Sequence, residues 1–157
     1  MKVSVITATI GKPQLAKCIE SIRKQTYKNV EHIVVLDGSE HWVAADQVLK
    51  QCSFPNGTNE HLIILPFSTG KNRYNGHRIY GACTYLANGD YLIWLDDDNS
   101  LEENHVESLV KLVQKNNLDW AYSFRKIVDD EDNVICDDDC ENLGQWKSVL
   151  NDHFVDV

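Results

Sequence analysis

Tyr91-Leu92-Ile93-Trp94-Leu95, followed at once by Asp96-Asp97-Asp98-Asn99, is the stretch on which the reading of this chain turns. Five apolar residues in succession read as a strand. The same abrupt change from apolar to polar recurs upstream. Val3-Ser4-Val5-Ile6 runs into Thr7-Ala8-Thr9-Ile10-Gly11, and His32-Ile33-Val34-Val35-Leu36 closes on Asp37-Gly38-Ser39. Leu62-Ile63-Ile64-Leu65, stopped at Pro66, is a further run of this kind, and a polar loop, Ser68 to Gly76, follows it.

Between these runs the apolar residues take helical spacing. Leu15, Ile19 and Ile22 follow Pro13, a residue suited to a helix start. Trp42, Ala45, Leu49 and Cys52 form a second stripe, and Ile79, Ala82 and Leu86 a third, ended by Asn88-Gly89. Val106, Leu109, Val110 and Val113 form the fourth. Strand and helix alternate, which predicts an α/β fold: an open, mostly parallel sheet with helices on both faces. Beyond it, Trp120 to Phe124 predicts a strand. Ile127-Val128 and Val134-Ile135 flank the turn Asp129 to Asn133 and predict a C-terminal hairpin appended to the sheet. Leu143, Trp146 and Leu150 predict a last short helix, and Phe154 to Val157 a strand.

Composition agrees with one domain across 1–157. The 157 residues are 43% hydrophobic and 25% charged, enough for a packed core and unlike a disordered or collagenous chain. No apolar run approaches the ~20 residues of a membrane span, and no signal-peptide pattern opens the chain. The five cysteines, Cys18, Cys52, Cys83, Cys136 and Cys140, are odd in number and scattered, which fits a reducing compartment. The expectation is a soluble, cytoplasmic protein. A net charge of −9 argues against nucleic acid or an anionic membrane as partner. That charge is lopsided: residues 1–89 carry 10 basic and 6 acidic groups, residues 90–157 carry 5 and 18.

In a doubly wound sheet, ligands bind outside the carboxyl ends of the strands. Thr7 and Thr9, Asp37, and Asp96 to Asp98 all fall at such ends. Neither a dinucleotide fingerprint nor a phosphate loop is present, so a bound phosphate needs another source of positive charge. Three adjacent carboxylates repel one another unless a cation intervenes. Hard oxygen ligands select Mg²⁺ or Mn²⁺, which complete their shells with substrate phosphates and water. The alternative is a solvated turn capping the next helix, for which Asp98, Asn99 and Ser100 are suitable residues. An EF-hand count over Asp96, Asp98, Ser100 and Glu107 fails at Leu101, where glycine is needed.

These stretches, together with Ser21-Ile22-Arg23-Lys24-Gln25-Thr26-Tyr27 and Asn88-Gly89-Asp90, make the chain resemble the nucleotide-sugar-dependent glycosyltransferases of family 2 over about residues 2–125. The resemblance implies a Rossmann-like sheet of the GT-A type. Its nucleotide-binding half would cover about 1–100, and a short acceptor-side remnant about 101–157. It further implies that Thr7 and Thr9 line a nucleotide pocket, that Asp37 bonds the base, usually uracil, and that Asp96-x-Asp98 is the DxD motif. Asp98 would ligate Mn²⁺ or Mg²⁺, with Asp96 and Asp97 facing the ribose and the metal's water shell. Arg78, or else Arg73, stands for the family's basic residue near the diphosphate, although the Ala-Arg-Asn spacing is not reproduced. The activity implied is transfer from a UDP-sugar, of UDP-glucose or UDP-galactose type, to an acceptor hydroxyl or to water, with inversion. Asp139 and Asp156 are the late carboxylates placed as base candidates, and His153 is a more distant metal candidate. Two alternatives stay open: a nucleotide-sugar-binding domain without turnover, and haloacid-dehalogenase-like phosphatase chemistry on Asp96-x-Asp98.

Overall fold

Alternate residues of Val30–Leu36 (β2) face opposite helices, and that alternation organises the molecule. The computed structural model describes residues 1–70, 76–129 and 131–138. β2 lies in a four-stranded parallel sheet with β1 (Val3–Thr9), β3 (Glu60–Ile64) and β4 (Tyr91–Trp94), in the order β3-β2-β1-β4. Val3 stands opposite Val30 on one side and Tyr91 on the other. The chain winds outward from β1 to β3, then returns to the far side of β1 for β4. The winding reverses between β1 and β4, which is where a doubly wound sheet opens a crevice.

One face of β2, Val34 and Leu36, meets Leu15 and Ile19 of α1 (Leu15–Arg23) and Ala45, Val48 and Leu49 of α2 (Trp42–Gln51). The other, Ile33 and Val35, meets Ile6 and, from α3 (His77–Cys83), Ile79 and Cys83. Val3 is covered by Val106 and Val110 of α4 (His105–Asn116). Each fully buried aliphatic side chain contributes roughly 1.5–3 kcal/mol, so β1 and β2, which hold the buried ones, secure the centre of the sheet. Helices on both faces of a parallel sheet are what the alternation of strand and helix predicted.

Three expectations are corrected. Trp120 to Phe124 forms no strand; pairing begins at Arg125. Its aromatic residues lie two apart and meet one another instead: Trp120 stacks on Tyr122 at 5.9 Å between centroids, and Tyr122 meets Phe124 edge-on at 6.0 Å. The hairpin forms, from β5 (Arg125–Val128) and β6 (Val134–Asp138), with Ile127 opposite Cys136. It is a two-stranded sheet of its own. The third helix ends at Cys83, which leaves Leu86 exposed. The helix and strand expected after Leu143 lie outside the described residues. The chain divides into two compact units, Met1–Val110 and Lys111–Val157, and the parallel sheet belongs to the first.

Candidate functional site

The end of β4 is delivered to β1 by one further main-chain bond. Leu95 N–H donates to the Ile6 carbonyl at 3.0 Å, so Leu95 stays buried and the three aspartates emerge beside the loop after β1. There each finds a different partner. Asp97 is buried, and its Oδ2 accepts the Thr9 hydroxyl at 2.7 Å. Asp96 is exposed, and its Oδ1 accepts the Tyr80 hydroxyl at 2.6 Å. Asp98, with 47% of its side chain exposed, pairs through Oδ2 with Lys12 Nζ at 2.9 Å, while Asp97 Oδ1 lies 3.2 Å from the same nitrogen.

Local backbone geometry explains how Lys12 reaches them. Gly11 has φ +85°, and a Cβ there would come within 2.6 Å of the Ala45 nitrogen, so only glycine lets the loop lie this close to α2. The Gly11 N–H donates to Thr9 Oγ1 at 2.9 Å, tying the loop to the hydroxyl that holds Asp97. The Asp98 carboxylate raises the pKa of Lys12 against the opposing effect of partial burial, with Asp97 adding to the rise. Tyr80 is likewise held in its protonated form, first by burial and then by its bond to Asp96. In these contacts, three carboxylates stand against one ammonium.

Asp37 stands at the end of β2. Its Oδ1 accepts the Thr69 N–H at 2.6 Å, and its Oδ2 accepts the Gly70 N–H at 3.0 Å and the Ser68 hydroxyl at 3.2 Å. An ionised carboxylate has about four acceptor positions, so it holds this loop and keeps capacity for one more donor. Gly38, at φ +111°, leaves room for Ser68: a Cβ would meet the Ser68 nitrogen at 2.7 Å.

The other expected residues are placed as follows. Thr7 is buried, its hydroxyl 3.0 Å from His32 Nε2 and 3.7 Å from Cys18 Sγ. Burial drives His32 down to about 3, with Arg23 adding to the effect, and pushes the Cys18 thiol up to about 12. Arg78 is exposed on the first turn of α3. Arg73, Asp139, His153 and Asp156 lie outside the described residues. The structure therefore brings together Thr9, Asp96, Asp97 and Asp98, with Asp37 at the next strand end.

The family model for glycosyl transferase family 2 matches residues 4–151. The chain belongs to that family. Glycosyltransferase GlyA of Streptococcus pneumoniae serotype 4 is 33% identical to this family 2 chain over 118 residues, covering 71% of it and 15% of GlyA. Glycosyltransferase GlyG of the same organism is 30% identical over 105 residues, covering 67% of the chain and 32% of GlyG. Among solved structures, S. aureus TarS 1–349 in complex with UDP-GlcNAc superposes with a TM-score of 0.61 at 20% identity, over 74% of the chain and 32% of TarS 1–349. The family 2 chain thus spans a third or less of the length of these proteins. The shared fold is the GT-A arrangement, and membership of family 2 removes the haloacid-dehalogenase alternative.

Whether the site of this family 2 chain suits a divalent cation follows from its donors. Among the described residues no three His, Cys, Asp or Glu side chains converge as ligands. Asp97 is committed to Thr9 and Lys12, whereas Asp98, which shares Lys12, and Asp96, bonded to Tyr80, face solvent. One or two carboxylates completed by phosphate oxygens and water is the usual Mg²⁺ arrangement, so the donor set fits a cation that arrives with a phosphorylated ligand.

Two site residues escaped the sequence reading. Lys12 directly follows Gly11 and was the signal available, as the cation nearest the end of the first strand. Tyr80 carried none, because an aromatic beside Ile79 reads as part of a helix's apolar side.

Proposed function

We propose that this chain binds a UDP-sugar through a divalent cation, Mn²⁺ or Mg²⁺, and transfers the sugar to an acceptor hydroxyl or to water. The observation that carries the reading is the gathering of Thr9, Asp96, Asp97 and Asp98 at the point where the sheet reverses its winding, with Asp37 one strand away. Asp98, with Asp96, would hold the cation. Bound there, it would stabilise the negative charge that develops on the departing diphosphate. S. aureus TarS 1–349 has been solved with UDP and with UDP-GlcNAc, which supports a uridine donor.

The chain's own groups then divide the work. Asp37 holds the loop Ser68 to Gly70 and offers its remaining acceptor position to a base N–H. Thr9 fixes Asp97, and Tyr80 donates to one oxygen of Asp96, leaving the other free to accept a ribose hydroxyl or metal-bound water. Arg78, or Arg73, would meet the diphosphate. Asp139 and Asp156 keep their standing as base candidates, inversion remains part of the reading, and so does a cytoplasmic setting. No helix among the described residues is long and apolar enough to cross a membrane.

The test is release of UDP from a series of UDP-sugars, with and without Mn²⁺. Release that requires Mn²⁺ from at least one donor, UDP-glucose or UDP-galactose first, is expected. Binding of UDP with no release from any donor would contradict transfer and favour a nucleotide-sugar-binding domain.

A further inference from the structure

Among the described residues, the cation that touches Asp98 is a lysine of the chain itself. Lys12 Nζ sits 2.9 Å from Asp98 Oδ2 and 3.2 Å from Asp97 Oδ1. We propose that Lys12 is a built-in counter-cation that weakens binding of a free divalent ion, so that cation and nucleotide enter the site together. The proposal rests on the cation-and-nucleotide reading above.

The geometry makes the competition direct. A divalent cation approaches a carboxylate oxygen to about 2.0–2.1 Å, and it would compete for the oxygen that Lys12 now holds. Two cations on one carboxylate lie within a few ångströms and repel strongly at a partly buried site. Asp97 cannot turn aside to relieve the conflict, because the Thr9 hydroxyl fixes it in a buried position. Lys12 can: 43% of its side chain is exposed, and four methylenes give its ammonium several ångströms of travel. The loop that carries it stays anchored by the close approach of Gly11 to Ala45, so the movement is confined to the side chain. A bare metal ion must therefore displace an ammonium without compensation. An ion arriving with a diphosphate brings negative charge that meets the displaced ammonium. The two ligands then bind with positive coupling, and the coupling is reciprocal.

The experiment measures Mn²⁺ affinity from the free-ion electron paramagnetic resonance signal, in the presence and absence of UDP. It compares the wild-type chain with Lys12→Gln and Lys12→Arg, each checked for folding by circular dichroism. Lys12→Gln is expected to bind Mn²⁺ alone about tenfold more tightly than wild type, and UDP to improve its Mn²⁺ affinity by a smaller factor. Lys12→Arg keeps the cation and stays near wild type in both. A lysine that only props the aspartates gives the opposite sign, weaker Mn²⁺ binding in Lys12→Gln. Equal or weaker Mn²⁺ binding by Lys12→Gln, while wild type still binds Mn²⁺ with UDP, overturns the role of Lys12 alone. Wild-type chain that binds no Mn²⁺ even with UDP overturns the functional reading and this inference together.

Discussion

β1 has a lysine, a hydroxyl and a carboxylate at each of its ends, and the two sets differ in how their charges balance. At the amino end, Ser4 donates to Glu31 Oε1 at 2.6 Å, the Asn88 N–H donates to the same oxygen at 2.7 Å, and Lys2 pairs with Oε2. The Glu31 side chain is fully buried, and its single charge is matched by a single ammonium. At the carboxyl end, Thr9 holds Asp97 and Lys12 pairs with it in much the same way, but Asp96 and Asp98 stand beside them, exposed. One end is a closed lock, and the other, among the described residues, sets three carboxylates against one ammonium. Stability calls for the first, whereas the second costs repulsion, which the divalent cation proposed above would relieve.

Glu31→Ala tests the lock and is expected to show the largest effect on stability. It removes three charge-assisted contacts and leaves the Ser4 hydroxyl and Asn88 N–H in a partly buried corner, a loss of about 3 kcal/mol by denaturant unfolding. UDP affinity in Mn²⁺ should stay unchanged, since nothing at the other end of the sheet is touched. Loss of nucleotide binding in a folded Glu31→Ala chain would break the comparison.

Between the two ends, Thr7, His32 and Cys18 form a buried polar contact that carries no charge at neutral pH, and it sharpens the contrast. Burial lowers His32 from its ordinary value to about 3, so the folded chain excludes a proton that the unfolded chain accepts. The stability this contributes is complete above about pH 6.5 and is lost as the pH falls toward the folded value. Between pH 6.5 and 5 the loss is about 2 kcal/mol, and His32→Gln should remove that part of the pH dependence. An unchanged stability–pH profile in His32→Gln would mean that His32 is not held neutral by the fold.

The fold was legible because burial on both faces leaves an uninterrupted apolar run, and His32 to Leu36 is such a run. Thr9, Asp37 and the three aspartates were legible as polar residues at strand ends. Trp120 to Phe124 misled: its alternating aromatics match a half-buried strand, but stacking between residues two apart satisfies the same pattern without a partner strand. Partnerships across long separations were not legible at all. Lys12 meets Asp98 across 86 residues through the turn at Gly11, and Ser4 meets Glu31 across 27 through strand register. Composition reported the acidic excess after residue 90, and the structure shows that Lys12 meets two of those carboxylates, Asp97 and Asp98.

On the function proposed above, the acidic cluster at the carboxyl end of β1 serves a ligand and not the fold. This is tested most directly by titrating UDP calorimetrically into wild type and Asp98→Ala in Mn²⁺, with thermal unfolding of both followed alongside. Asp98→Ala is expected to bind UDP about 100-fold more weakly in Mn²⁺, since it removes the proposed metal ligand. Its unfolding midpoint should stay within about 2 °C of wild type, as expected for an exposed side chain. Wild-type affinity for UDP in a folded Asp98→Ala chain would contradict that role.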